Sequence, residues 1–233
     1  MTVALLCAGA ARGLLAAIGP AFTAESGVAI DATFGAVGAL VEKLDAGAPC
    51  DAIVLTAALI ERLEKEGRVV AGSALPLGRV PTGLAVLAGA PRPAIGDAAA
   101  LRAALAAATR IVFPDPERAT AGIHFARVLQ RLGLADEVAA RCATFANGAA
   151  AMAALASSDD PGAIGCTQVT EILHAPGVAL VGALPPGFEL ATVYSAAVAG
   201  GARAPDRARR LVAMLAGPSA RAAREACGFE DER

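Results

Sequence analysis

The chain has 233 residues and sets 20 Lys or Arg against 22 Asp or Glu, for a formal net charge of −2. With no excess of positive charge, no Trp and a single Tyr, it offers neither a field for a phosphate backbone nor a platform for stacked bases, which sets nucleic acid aside as a partner. Much of the 56% hydrophobic content is alanine, as in 98–108 and 149–156. A charged residue, Pro or Gly interrupts each apolar run before the ~20 residues a membrane-spanning helix requires, so no membrane insertion is expected.

The first 22 residues are apolar and small-residue rich, as a signal peptide is, but they lack a basic start and contain Arg12. They read better as a strand over 2–8 turning into a helix that carries Leu14, Leu15, Ile18 and Phe22 on one face. That reading places the protein in the cytoplasm, or in the periplasm if a signal peptide has been removed. Gly19-Pro20 falls inside this helix, where the missing donor predicts a kink.

Strands over 28–34 and 52–56 then alternate with helices running to Ala46 and Glu66. This βαβαβα rhythm implies a parallel sheet. A buried strand over 83–87 follows, then a helix capped by Asp97 and running through Ala107, and a strand over 110–113 that enters the Pro114-Asp115-Pro116 turn. A second α/β unit begins at that turn, with helical segments over 121–132 and 137–141, a strand over 142–145, a helix over 148–155, and strands over 163–166 and 178–181. Another strand over 192–199 and two Arg-rich amphipathic helices over 205–216 and 218–227 close the chain. No low-complexity linker separates the units, so the chain is expected to cross between them by strands. The expected division is one lobe of 1–82 with the return 194–233, and a second lobe of 83–193.

The five cysteines, Cys7, Cys50, Cys142, Cys166 and Cys227, are scattered and lack metal-ligand spacing. They read as packed thiols, and neither metal nor cofactor is expected. The informative positions are instead strand-to-helix junctions, because a helix N-terminus presents unpaired N–H groups and a partial positive charge to an anion. Four are rich in small residues: Gly9-Ala10-Ala11, Gly35 with Ala36-Val37-Gly38, Thr120-Ala121-Gly122, and Thr167-Gln168.

The order of these segments resembles the type II periplasmic binding proteins, most nearly the molybdate-binding proteins of ABC transporters and their cytoplasmic relatives. The resemblance rests on Phe34 followed by a helix ending in Asp45-Ala46-Gly47-Ala48-Pro49-Cys50-Asp51 and on Phe113-Pro114-Asp115-Pro116 leading to Thr120-Ala121-Gly122-Ile123. Leu129-Gln130-Arg131-Leu132-Gly133 and the closing Gly217-Pro218 and Gly228-Phe229 extend it over nearly the whole chain. It implies an α/β, two-lobed fold, each lobe a mostly parallel sheet flanked by helices, with a small anion as partner in the cleft between lobes.

The molybdate binders place serine hydroxyls at the first two junctions, where this chain has Ala10 and Ala36-Val37-Gly38. Backbone donors remain, with Thr120, Thr167, Gln168 and Tyr194 as side-chain contacts and Arg12 and Arg79 as bidentate partners for a carboxylate. An organic carboxylate is therefore expected over a tetrahedral oxyanion. The stretch 165–172, with Pro176-Gly177-Val178 and Val181-Gly182-Ala183-Leu184-Pro185, also resembles an aconitate-isomerase-like branch of the superfamily. This resemblance implies a second possibility, an allylic proton shift on an unsaturated carboxylate. Such a reaction needs a proton-transfer group, for which His124, in the first turn of the Thr120 helix, and Glu171, one turn after Cys166, are the candidates.

Overall fold

The structure, a computed structural model, describes residues 2–231. β1 (Thr2–Ala8) is an apolar run buried on both faces, as a central parallel strand covered by helices must be. One 3-10 turn at Gly9–Ala11 leads into α1 (Arg12–Ser26), which ends on Gly27 in the left-handed conformation, φ 67°. Instead of breaking, α1 stays helical through Pro20, which sits on its exposed side beside solvent able to hydrate the carbonyl that proline leaves unpaired. β2 (Ala29–Gly35), α2 (Val37–Asp45), β3 (Ala52–Thr56) and α3 (Ala57–Lys65) follow.

β4 (Leu75–Leu87) is 13 residues long, far longer than the segment 83–87 that the sequence pattern isolates. Pro76, Gly78 and Pro81 read locally as breaks, but partners distant in sequence supply the hydrogen bonds that keep the segment extended. Arg79 and Glu230 exchange both backbone bonds, at 2.9 and 2.8 Å, and Thr82 N–H donates to Leu190 at 2.8 Å. α4 (Ala98–Ala107), β5 (Arg110–Pro114), α5 (Thr120–Arg131), α6 (Ala135–Val138), β6 (Cys142–Phe145) and α7 (Gly148–Ala156) come next. β7 (Ala163–Gln168), α8 (Val169–His174), β8 (Val178–Ala183), β9 (Ala191–Val198), α9 (Pro205–Ala216) and α10 (Arg221–Ala226) complete the order.

These elements form two compact units, one running to Val80 and resuming at Thr192, the other spanning Pro81–Ala191. β4 and β9 carry the chain from one to the other. In the first unit the strand order is β2-β1-β3-β9, with β9 antiparallel to β3. Its core gathers Leu5, Leu14, Phe22, Leu40, Ile53 and Leu63. In the second unit β5 lies parallel to β6 and β7, and β4 runs antiparallel to β7 and β8. Its sheet buries two apolar layers. Leu84, Phe113, Cys166 and Phe125 of α5 fill one face, and Val112, Met152 and Leu155 fill the other, under α7.

Because the first unit is built from two separate stretches of chain, its closure depends on Asp51. This residue is 6% exposed. One carboxylate oxygen accepts from Ala4 N–H at 2.9 Å, and the other from Arg203 and Ala204 N–H at 2.7 and 3.0 Å, at the start of α9. Its backbone ties Ala4 to Ala199 as well, through bonds of 2.8 and 2.9 Å. Hydrogen bonds to a charged group are worth about 1.5–3 kcal/mol each. Asp51→Ala is therefore expected to lower the unfolding free energy by at least about 3 kcal/mol in urea titrations. Asp45→Ala, which removes only an exposed ion pair with Arg68, should cost less than about 1 kcal/mol. Equal losses in the two variants would contradict this account of Asp51.

Candidate functional site

In the first unit the strand register assembles a rim. Ala8 lies opposite Gly35, Cys7 opposite both Phe34 and Val54, and Thr56 opposite Tyr194. The carboxyl ends of β1, β2 and β3 thus lie within a residue of one another, with Tyr194 of β9 beside Thr56. Gly9-Ala10-Ala11 and Ala36 lead from this rim into α1 and α2, with Val37 and Gly38 in the first turn of α2. Arg12, the first residue of α1, holds its guanidinium 4.1 Å over the ring of Phe34. Its Nε is buried without a hydrogen-bond partner among the described residues. Arg79 Nε is likewise buried without a hydrogen-bond partner among the described residues, but it lies 3.4 Å from a carboxylate oxygen of Glu230, which matches its charge. Tyr194 is buried edge-on against Phe229, ring centroids 6.5 Å apart.

In the second unit the alternation of a strand decides which candidates can act together. Gln168 follows Cys166 and Ile164 onto the α5 face, whereas Thr167 follows Gly165 and Ala163 onto the α7 face. The side chains of the adjacent pair Thr167-Gln168 therefore leave on opposite sides. Thr167 donates its hydroxyl to Glu171 Oε2 at 2.5 Å. Both pack on Gly148, the first residue of α7, where an added Cβ would stand 1.9 Å from that oxygen and 2.1 Å from the hydroxyl. Glu171 thus sets its carboxylate beside the positive end of α7, the place where a helix favours an anion.

On the α5 face, Gly122 brings the first turn of α5 against the end of β5, where a Cβ would stand 2.2 Å from the Pro114 carbonyl oxygen and 2.3 Å from that of Asp115. Asp115 shapes the approach by accepting from Glu117 and Arg118 N–H at 2.7 and 3.2 Å. His124, one turn further along α5, has Nε2 2.8 Å from the carbonyl oxygen of Phe188. A carbonyl only accepts, so Nε2 carries the proton and Nδ1 is the basic nitrogen. Arg131 lies over the Phe188 ring at 4.6 Å, so α5 holds that segment at two points. His124 and Glu171 stand on opposite faces of the sheet.

Helix capping separates the helix ends into two sets. Thr56, Asp97 and Asn147 cap α3, α4 and α7 with side-chain oxygens. The N-caps of α1, α2 and α5 are Ala11, Ala36 and Ala119, which provide no acceptor. Three of the four junctions singled out from sequence open these helices; the fourth, Thr167-Gln168, opens α8, which has no side-chain cap either, and neither have α6 and α10. Two features of the site escaped sequence reading: Gly148, which looks like an ordinary helix-starting glycine after Asn147, and Thr82, opposite Gln168 in the β4–β7 ladder. No group of three or more His, Cys, Asp or Glu among the described residues is placed to hold a metal ion. No described helix is long and apolar enough to cross a membrane.

Two α/β units joined by strands that pass from one to the other make this a two-lobed protein of the periplasmic-binding class. Solved structures with the same fold include the periplasmic molybdate-binding protein of Azotobacter vinelandii, at TM-score 0.82 and 21% identity over 99% of this chain and 100% of that one. Another is the sulfate-binding protein SubI of Mycobacterium tuberculosis H37Rv, at TM-score 0.78 and 19% identity over 99% of this chain and 87% of that one. Within the class, the chain belongs to the bacterial extracellular solute-binding proteins, whose sequence pattern matches residues 3–230. It is also similar to an aconitate isomerase from a Pseudomonas species, with 27% identity over 236 residues covering 98% of this chain and 87% of that protein.

The thiols near the strand ends are not activated. Burial pushes Cys7 up to about 12, only partly opposed by Arg12, and pushes Cys166 well above its ordinary value. A raised value keeps the thiol protonated at neutral pH, and the thiolate is the reactive form. Cys7 and Cys166 should therefore resist iodoacetamide in the folded protein at about pH 8 and react once the chain is unfolded. Rapid labelling of either in the native state, read by peptide mass spectrometry, would show that the strand ends are more open than described.

Proposed function

We propose that this chain binds a small anion, an organic carboxylate, with the uncapped turns of α1 and α2, the guanidinium of Arg12 and Tyr194 as donors of the first unit; the second unit offers the uncapped turn of α5 with Thr120 and Gln168 as anion donors of its own. The observation that carries the reading is Arg12. It combines a buried donor without a partner among the described residues with a guanidinium held 4.1 Å over the Phe34 ring, and a planar fork of N–H groups matches a carboxylate bidentately. The positions where the molybdate binders carry hydroxyls are Ala10, Ala36, Val37 and Gly38, so a tetrahedral oxyanion would lack side-chain donors there. Thr167 is occupied by Glu171 and Arg79 by Glu230, which leaves neither as a primary contact in this reading.

The 27% identity with an aconitate isomerase along almost the whole chain supports a second reading, an isomerase acting on an unsaturated carboxylate. A base would take a proton from one carbon, and the same group, as its conjugate acid, would return it to the carbon at the other end of the allylic system, with no net redox change. Glu171, or His124 through Nδ1, would be that base. The five free thiols suit a reducing compartment, so the cytoplasm is the setting we propose for either activity.

Calorimetry with cis-aconitate and tricarballylate, set against molybdate and sulfate, tests the first reading. The acids should bind more tightly, and Arg12→Gln should weaken them about 10–100-fold, the value of a charge-assisted pair. Submicromolar molybdate binding would instead show that backbone donors suffice for tetrahedral oxyanions. The isomerase reading requires cis-aconitate to be converted to its isomer, followed by proton NMR, with a loss of about 10²–10⁴ in rate on replacing the base. Tight binding without conversion would leave a binding protein.

A further inference from the structure

Thr82 is only 1% exposed, and its hydroxyl has no hydrogen-bond partner among the described residues. Its backbone is fully used: the N–H donates to Leu190 at 2.8 Å and the carbonyl accepts from Leu184 N–H at 3.0 Å. A buried hydroxyl left without a partner costs about 1–3 kcal/mol. Valine has nearly the same shape and suits a strand without that cost, so the hydroxyl calls for an explanation.

The ladder places Thr82 directly opposite Gln168, which sets their Cβ atoms about 4.5–5.5 Å apart on one face of the sheet. It is the face of Leu84, Cys166 and Phe125, and the apolar layer stops there because Gln168 ends β7. α5 covers this face and starts at the same end, its uncapped first turn drawn against Pro114 and Asp115 by Gly122. The positive end of a 12-residue helix, a buried amide side chain and a buried hydroxyl with unused capacity thus lie at one end of one sheet face.

We infer that Thr82 is a ligand-binding residue: its hydroxyl donates to an oxygen of the acid group that meets the first turn of α5, with the Gln168 amide beside it. The inference rests on the anion-binding reading above. It gives the second unit an acid-binding subsite of its own, which takes one carboxylate oxygen of the organic acid.

The test is calorimetric titration of the full chain with tricarballylate and cis-aconitate, with ligand-free thermal unfolding measured alongside. Thr82→Val should weaken binding about tenfold or more while leaving the ligand-free melting temperature unchanged or higher, because it removes an unsatisfied group without changing shape. Thr82→Ser, which keeps the hydroxyl, should bind within about threefold of the wild type. Unchanged affinity in Thr82→Val overturns the inference. So does a lower melting temperature with intact affinity, which would assign the hydroxyl to a structural water. If the wild type binds molybdate or sulfate but neither acid, the carboxylate reading fails alone and Thr82→Val is judged with the oxyanion. If it binds none of the four, the binding reading and this inference fall together.

Discussion

The carboxylate of Asp51 is the point on which the first unit closes. That unit is made from chain segments more than a hundred residues apart, and three backbone N–H groups from both segments meet on one buried side chain. Fastened there, the returning segment lays β9 antiparallel on β3, and the ladder carries the register to the far end, where Tyr194 comes opposite Thr56. An interaction at one end of the sheet therefore sets which residues meet at the other. It also takes the Arg203 and Ala204 N–H groups just ahead of α9, a helix whose N-cap is alanine.

Seen in this light, the helix ends divide by how the chain treats their positive charge. Where a protein oxygen fills the site, as with Thr56, Asp97 and Asn147, the helix is a structural member. α1, α2 and α5 end in alanine caps that leave the donors to something else. α7 is doubly closed, capped by Asn147 and flanked by the carboxylate of Glu171. That arrangement gives Glu171 a structural occupation which a role in proton transfer would have to accommodate. His124 is likewise engaged, since its Nε2 proton goes to Phe188. Both candidate bases thus carry structural contacts, while Arg12 retains an unsatisfied donor, which is why a carboxylate-binding site is the primary reading.

The cysteines illustrate how little a residue's chemistry means without its surroundings. Cys7 and Cys166 end up near the carboxyl ends of β1 and β7, yet both are sealed in apolar layers that disfavour the thiolate. They pack as small apolar side chains.

Much of this protein is legible in one dimension. The apolar run of β1, the Asp97 cap of α4, and the amphipathic pattern of α9 are short-range properties, because each depends on neighbours within a few residues. The junctions at 9–11, 36–38 and 120–122 were legible for the same reason: small residues after a strand leave a helix end uncovered. The length of β4 was not, because Pro76, Gly78 and Pro81 signal breaks locally and only Glu230 and Leu190 keep the segment extended. Nor was the separation of Thr167 from Gln168, or the closure of α7 by Glu171, since both depend on which helix covers which face. Thr82, between a proline and a glycine, has no signature at all. Sequence by itself determined the elements, their order and the uncapped helix ends, because hydrogen bonding and burial within an element are local. Only the tertiary structure decided which polar groups keep a partner, because a buried donor or acceptor is satisfied or left vacant by residues far away in the chain.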